Sequence, residues 1–225
     1  MVAVAYAPAR FASIARVTAD VAPADADLAL VERWRSGDRD AGEALFARHF
    51  DRVFRFFATK CGDAADLTQQ TFLALLKAQT PFAGRSSFTA YLFTIARHEL
   101  YRHFEQLRGD RQFDPEASSV ADLVTTPGTR FDRDASHRRL VEVLRELPIE
   151  QQTLLELAYW EGLDAVEIGE VLGCLPATIR TRLHRARNAL RDRLVDDGSA
   201  DALGMRAQLD AWAALDPGAG TPVEV

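Results

Sequence analysis

Apolar residues recur at helical spacing along most of this chain, and no stretch alternates with the two-residue period of a half-buried strand. Phe46, Phe50, Val53, Phe54 and Phe57 mark one helix face, which ends at the turn Cys61-Gly62-Asp63. Leu67, Thr71, Phe72, Leu75 and Leu76 mark a second helix. A third, longer helix is marked by Phe88, Leu92, Ile95, Ala96, Leu100, Phe104 and Leu107. The pattern resumes at Leu140, Val143, Leu144 and Leu147, after which Pro148 suits the first turn of another helix. That helix runs through Leu154, Leu157, Ala158 and Trp160 to a break at Gly162. A period of 3.6 without a period of 2 leaves helix-on-helix packing as the way to bury these faces, so the fold class is all-α.

Between Arg108 and Ser136 the periodicity stops, and Pro115, Pro127, Gly128 and acidic residues take over. The expected organisation is two small helical domains, 28–108 and 137–195, joined by a flexible acidic linker, 109–136. A flexible N-terminal extension, 1–27, and a C-terminal extension, 196–225, complete the chain. Within the latter, Met205, Leu209 and Trp212 have the spacing of one amphipathic helix over 200–215.

A chain of 225 residues that is 48% hydrophobic can build such cores and is too apolar for wholesale disorder. No apolar run reaches the roughly 18 residues of a membrane span, and Met1–Val21 lacks a secretory layout, so no membrane insertion and a cytoplasmic location are expected. Cys61 and Cys174 form no Cys-x-x-Cys pair, and the histidines form no His-x-x-x-His pair. Neither a disulfide framework nor a metal cage is expected. No nucleophile–base pair or phosphate-binding glycine loop stands out, so neither an enzyme nor a cofactor is expected.

The net charge of −6 argues against a protein that coats nucleic acid by itself, but the charge is unevenly spread. From Arg180 to Arg193 six arginines meet only Asp192, whereas 110–134 is dominated by aspartate and glutamate. Just before the basic run, Asp164 and Glu167 have capping-box spacing, Ile168 and Leu172 supply a core face, and Gly169 permits a close approach. Gly173 stands where a left-handed residue ends a helix, and Pro176 starts a longer one with Ile179, Leu183, Ala186 and Leu190 facing inward. A short helix, a tight turn and a longer basic helix make the DNA-reading helix-turn-helix pattern. Arg180, Thr181, His184, Arg185 and Arg187 are the expected outward, DNA-contacting positions.

Three segments in order resemble the extracytoplasmic-function (ECF) sigma factors of the sigma-70 family. They are Asp66-Leu67-Thr68-Gln69-Gln70-Thr71-Phe72-Leu73; Phe82-Ala83-Gly84-Arg85-Ser86-Ser87-Phe88 with Leu92 and Ile95-Ala96-Arg97; and Leu147-Pro148 through Thr178–Arg187. The resemblance implies an alternative sigma factor that binds core RNA polymerase, directs it to promoters and promotes strand opening. It implies that Asp66, Gln69, Gln70 and Phe72 dock on the clamp helices of the polymerase's largest subunit, and that the C-terminal domain meets the flap of the second-largest. Arg85, Ser86, Ser87 and Phe88 would hold a base flipped from the non-template strand, although Phe88 is equally suited to the core. Tyr91, Arg97, His98 and Arg102 would line the adjacent single-strand path. The linker would occupy the polymerase's nucleic-acid channels, and an anti-sigma protein is a further potential partner. The chain departs from the family pattern at Gln70, where Glu is common, at Tyr91, where Trp is common, and at Leu175, where a capping Ser is usual. The rival reading is a stand-alone helix-turn-helix regulator, which leaves the helices before the linker without a task.

Overall fold

The computed structural model describes residues 24–77, 87–109, 113–124 and 135–195. Residues 1–23, the C-terminal extension with its expected helix over 200–215, and Arg85 and Ser86 lie outside these residues, whereas 24–27 of the expected N-terminal extension form the first turn of a helix.

The described residues contain α-helices and a single isolated bridge between Ser119 and Pro148. The first four helices are α1 (Ala24–Arg35), α2 (Arg39–Ala58), α3 (Ala64–Lys77) and α4 (Phe88–Arg108). Their shared core includes Leu45, Val53, Phe57, Leu92, Phe93, Leu100 and Phe104, all essentially inaccessible. Phe50, Leu76 and Leu107, read from spacing as core, are instead 44%, 53% and 56% exposed, because each lies at the edge of its helix's apolar stripe. α1 is tied to α2 by apolar and polar groups alike: Val31 is 3% exposed, and the Trp34 ring lies 5.4 Å from that of Phe46. Asp27, only 4% exposed, accepts from Arg48 Nη1 at 2.6 Å and pairs with buried His49 Nε2 at 2.8 Å. Burial pushes the Asp27 carboxyl up, but its bonds and charge pairing with His49 and Arg48 outweigh this and hold it below the usual aspartate value.

The second unit contains α6 (Ala135–Glu146), α7 (Ile149–Tyr159), α8 (Ala165–Leu172) and α9 (Pro176–Val195). Leu147, Ile149, Leu154, Leu157, Ile168, Ile179 and Leu190 fill its core. Between the units, α5 (Val120–Leu123) interrupts the segment expected to be slack. Ser119 and Asp122 cap α5 reciprocally, and Val120 is fully buried. Ile149 N donates to Ser118 O at 2.9 Å and Glu150 N to Pro115 O at 3.0 Å, so residues 113–124 are stitched to the start of α7. Phe113 completes the attachment on the other side, its ring 5.6 Å from Tyr101 and 5.7 Å from Phe104. Acidic composition concealed this docking, since a few apolar anchors and backbone bonds suffice for it.

The units also touch directly, with α8 packed on α4. Both cysteines are free thiols, and burial pushes Cys61 up to about 11. Among the described residues no helix is long and apolar enough to cross a membrane, and no cluster of residues suits a metal ion.

Candidate nucleic-acid interface

The helix-turn-helix is built as its local chemistry demands. Asp164 Oδ1 accepts from the backbone of Val166 and Glu167, and Glu167 Oε2 accepts in return from Asp164 N at 2.9 Å. Gly173 closes α8 in the left-handed region at φ +69°. Gly169 lies so close to the turn that an added Cβ would fall 2.6 Å from the Cys174 carbonyl oxygen. This contact, and Ile179 at 0% exposure, set the crossing of α8 against α9.

On α9 the exposed side carries Arg180, Thr181, His184 and Arg185. Arg187 departs from the expectation: it is 5% exposed, and its Nη1 donates to Tyr159 Oη at 3.2 Å. At 100° per residue, Arg187 lies only about 70° from the centre of the Ile179–Leu183–Ala186–Leu190 stripe, so it flanks the core. The same rotation puts Asn188, overlooked in the run of arginines, one turn beyond His184, where its amide nitrogen lies 3.5 Å from His184 Nδ1. Arg182 is drawn aside as well. Its guanidinium donates to Glu150 at 2.8 Å and Glu116 at 3.1 Å, pinning the linker beside the basic helix. Burial raises the Glu150 pKa and the Glu116 charge adds to this, while Arg182 opposes. With Arg185 and Leu154 these residues line a cavity of about 230 Å³.

On α3, Asp66, Gln69 and Gln70 are exposed. Phe72 is not: at 8% exposure its ring faces α2, 5.0 Å from Phe46 and 6.2 Å from Phe50. The apolar surface beside the three polar residues is supplied instead by Leu73 at 43% exposure and by Leu76 and Phe50. The period of 3.6 from Asp66 and Gln69 already aims at Leu73 and Leu76, which is the signal that could have found them.

Ser87 is the N-cap of α4, its Oγ accepting from Ala90 N at 3.2 Å. Phe88 is core, 2% exposed and 5.2 Å from the His49 ring. Tyr91 is half-buried, and burial raises its pKa. His98 and Arg102 face out, with Arg102 paired to Glu99. Desolvation and the neighbouring Arg97 charge hold His98 below a free imidazole, so it is a neutral hydrogen-bonding group at pH 7. Arg97, expected on the same track, is rotated about 100° away from His98. It is half-buried over the Tyr101 ring at 5.1 Å, and its Nε has no partner.

Comparison with known proteins agrees with this layout. Residues 45–109 match the family described as Sigma-70 region 2, and residues 137–190 match Sigma-70, region 4. RNA polymerase sigma factor CarQ of Myxococcus xanthus is 34% identical over 168 residues, covering 73% of this chain and 95% of CarQ. ECF RNA polymerase sigma factor SigC of Mycobacterium tuberculosis is 34% identical over 186 residues, covering 77% of this chain and 94% of SigC. Among solved structures, CnrH in complex with the cytosolic domain of CnrY aligns with a TM-score of 0.55 at 27% identity, covering 77% of this chain and 99% of CnrH. With two region matches in order, relatives aligned over most of both lengths and a shared helical fold, this chain belongs to the ECF sigma factors of the sigma-70 family.

Proposed function

We propose how the surfaces of this alternative sigma factor, which directs RNA polymerase to promoters, divide that work. Residues 28–108 form the unit that binds core polymerase and melts the minus-ten element, and 137–195 the unit that reads the minus-thirty-five element. Asp66, Gln69 and Gln70, with Leu73 and Leu76, dock on the clamp helices of the largest subunit, while Phe72 braces α3 from behind. The second unit rests on the flap of the second-largest subunit and offers Arg180, Thr181, His184 and Arg185 to the major groove, where arginine forks match guanine and phosphate. His98, Arg102 and residues 85–87 ahead of α4 receive the displaced strand, with the Ser86 and Ser87 hydroxyls as the candidate partners of an unstacked base. The protein acts in the cytoplasm, with its polymerase, as a positioning and melting factor rather than an enzyme.

CnrH is solved with a cytosolic domain of CnrY, and Bartonella quintana RpoE with the anti-sigma factor NepR. An anti-sigma protein is accordingly a candidate partner here. The observation that carries the division is the outward face of α9, four polar or basic side chains on a helix held by a complete helix-turn-helix frame. Run-off transcription with reconstituted core polymerase tests it. Transcripts should appear from a subset of promoters, depend on the added protein, and fall for Asp66→Ala through polymerase affinity and for Arg185→Ala through upstream-element preference. Transcription unaffected by both changes would overturn the division.

A further inference from the structure

Helix α9 is basic along its length, but the line that faces directly away from the core is not. At 100° per residue the stripe Ile179–Leu183–Ala186–Leu190 centres the buried side, and Ala177, Thr181 and Asn188 fall within about 30° of the opposite line. Arg180 stands about 90° to one side of that line, and Arg185 about 50° to the other. A helix lying in the major groove sets its central line over the base edges and its flanks toward the two phosphate walls. The side chains over the bases at the leading end of α9 are therefore small and uncharged.

Their hydrogen bonding narrows what they can read. Thr181 Oγ1 donates to Ala177 O at 3.2 Å, so its proton is committed to the helix's own backbone and its methyl is what remains to offer. Ala177 is exposed and carries a methyl alone. Asn188 is engaged at both ends of its amide: Oδ1 accepts from Arg191 Nη1 at 3.4 Å, and Nδ2 lies 3.5 Å from His184 Nδ1. Ahead of them all, Ile179 N donates to Leu175 O at 3.1 Å, which makes Leu175 the N-cap residue of α9. Leu175 is 74% exposed, the most exposed of the large hydrophobics among the described residues. A leucine there gives up the side-chain acceptor that first-turn N–H groups prefer, and puts hydrocarbon at the end of the helix that leads into the groove.

The floor of the major groove offers one apolar group, the C5-methyl of thymine. Cationic forks on this line would select guanine, and free amides would select adenine; methyl-bearing side chains match thymine. Ala177 and Thr181 lie about 6 Å apart along the axis, close to two base-pair steps of about 3.4 Å.

We propose that Ala177 and Thr181, extended at the tip by Leu175, read thymine in the upstream element through contact with its C5-methyl group, with Arg180 and Arg185 holding the helix from either side. The proposal rests on the assignment of α9 to the minus-thirty-five element given above. Burying one methyl group corresponds to roughly a fourfold gain in affinity.

The test uses the full chain with core polymerase and a promoter active in run-off transcription. Each thymine of the upstream element, on either strand, is replaced in turn by deoxyuridine, which lacks only the methyl, and holoenzyme binding is measured by competition. One or two positions should bind about fourfold more weakly. Thr181→Ser keeps the hydroxyl bond and removes the methyl. It should weaken binding to the thymine duplex by a similar factor and lose the deoxyuridine penalty at its position. Thr181→Val keeps the methyl, removes the hydroxyl and should retain the penalty. Leu175→Ser should shrink the penalty at a neighbouring position without lowering the melting temperature, because serine restores a capping acceptor. A deoxyuridine scan without effect, a penalty unchanged in Thr181→Ser, or a penalty lost in folded Thr181→Val overturns the proposal. Scrambling the whole upstream element is the control: if holoenzyme binding is then unchanged, the assignment of α9 to that element fails instead.

Discussion

Arg185 and Arg187 are two residues apart in one basic run, yet their replacement should fail in different ways. Arg185 is exposed on the outer side of α9. Arg185→Ala opens no cavity and should change stability by no more than about 0.5 kcal/mol. Loss of a bidentate base contact should cost about 1–3 kcal/mol of discrimination at one upstream base pair, roughly 5- to 150-fold in relative affinity. Arg187 is buried and donates to the Tyr159 hydroxyl, so Arg187→Ala deletes a charge-assisted bond and the packing of the aliphatic stem. The bond alone is worth about 1.5–3 kcal/mol, which corresponds to a melting temperature lower by about 6–24 °C for a domain of this size. Thermal melting of the free proteins separates the two from the stability side. Binding of the reconstituted holoenzyme to a promoter and to its upstream single-base variants separates them from the DNA side. The reasoning is refuted if Arg187→Ala melts like the parent while losing selectivity at one base. If Arg185→Ala weakens every upstream sequence equally, Arg185 touches phosphate only.

Three further outcomes follow from particular contacts. Gly169→Ala should lower the stability of the second unit by about 1–3 kcal/mol in denaturant titration, because the obstructing atom is a backbone carbonyl and the turn itself must move. Ser87→Ala should cost about 0.5–2 kcal/mol of stability through the lost cap whatever its DNA role, so Ser86→Ala is the cleaner probe of base capture. Permanganate reactivity of promoter thymines should drop for Ser86→Ala on duplex DNA and recover on a pre-melted bubble; parental opening on the duplex would make the loop structural. Asp27→Asn should destabilise the first unit by about 1.5–3 kcal/mol at neutral pH. The Asp27 pKa is lowered in the folded state, so its contribution is full above the unfolded value near 3.8 and is lost as pH falls through the folded value. The gap between parent and variant in pH-dependent unfolding should therefore close on acidification, and a constant gap would show that Asp27 contributes only shape.

The helix-turn-helix was legible because its determinants are local: a reciprocal cap, one left-handed glycine and one glycine against a carbonyl, all within ten residues. Positions on a helix were less legible where a run of like residues invites reading as a single face, as with Arg187 on α9 and Phe72 on α3. Helix α1 went unread although Leu28, Val31 and Trp34 have helical spacing; the stripe is short, and Asp27, bonded to Arg48 and His49, completes the attachment. The packing of the two units was hidden for a related reason. Part of it is charged and pairs across about a hundred positions of sequence, as Arg52 does with Glu161. The reading of 109–136 as a flexible acidic linker missed the stitching of Pro115 and Ser118 to α7, since backbone bonds carry no residue signature.

That stitching governs how far the protein can stretch. While Pro115 and Ser118 remain bonded to Glu150 and Ile149, at most residues 109–114 can pay out between the units, and only once Phe113 leaves Tyr101 and Phe104. About six residues reach at most roughly 20 Å. Released up to 134, the tether has roughly 26 residues and reaches about 90 Å, comparable with the separation of the two promoter elements. Spanning both elements therefore requires Ser118 to leave Ile149 and Glu116 to leave Arg182, which removes one of the two carboxylates that hold that arginine beside the recognition helix.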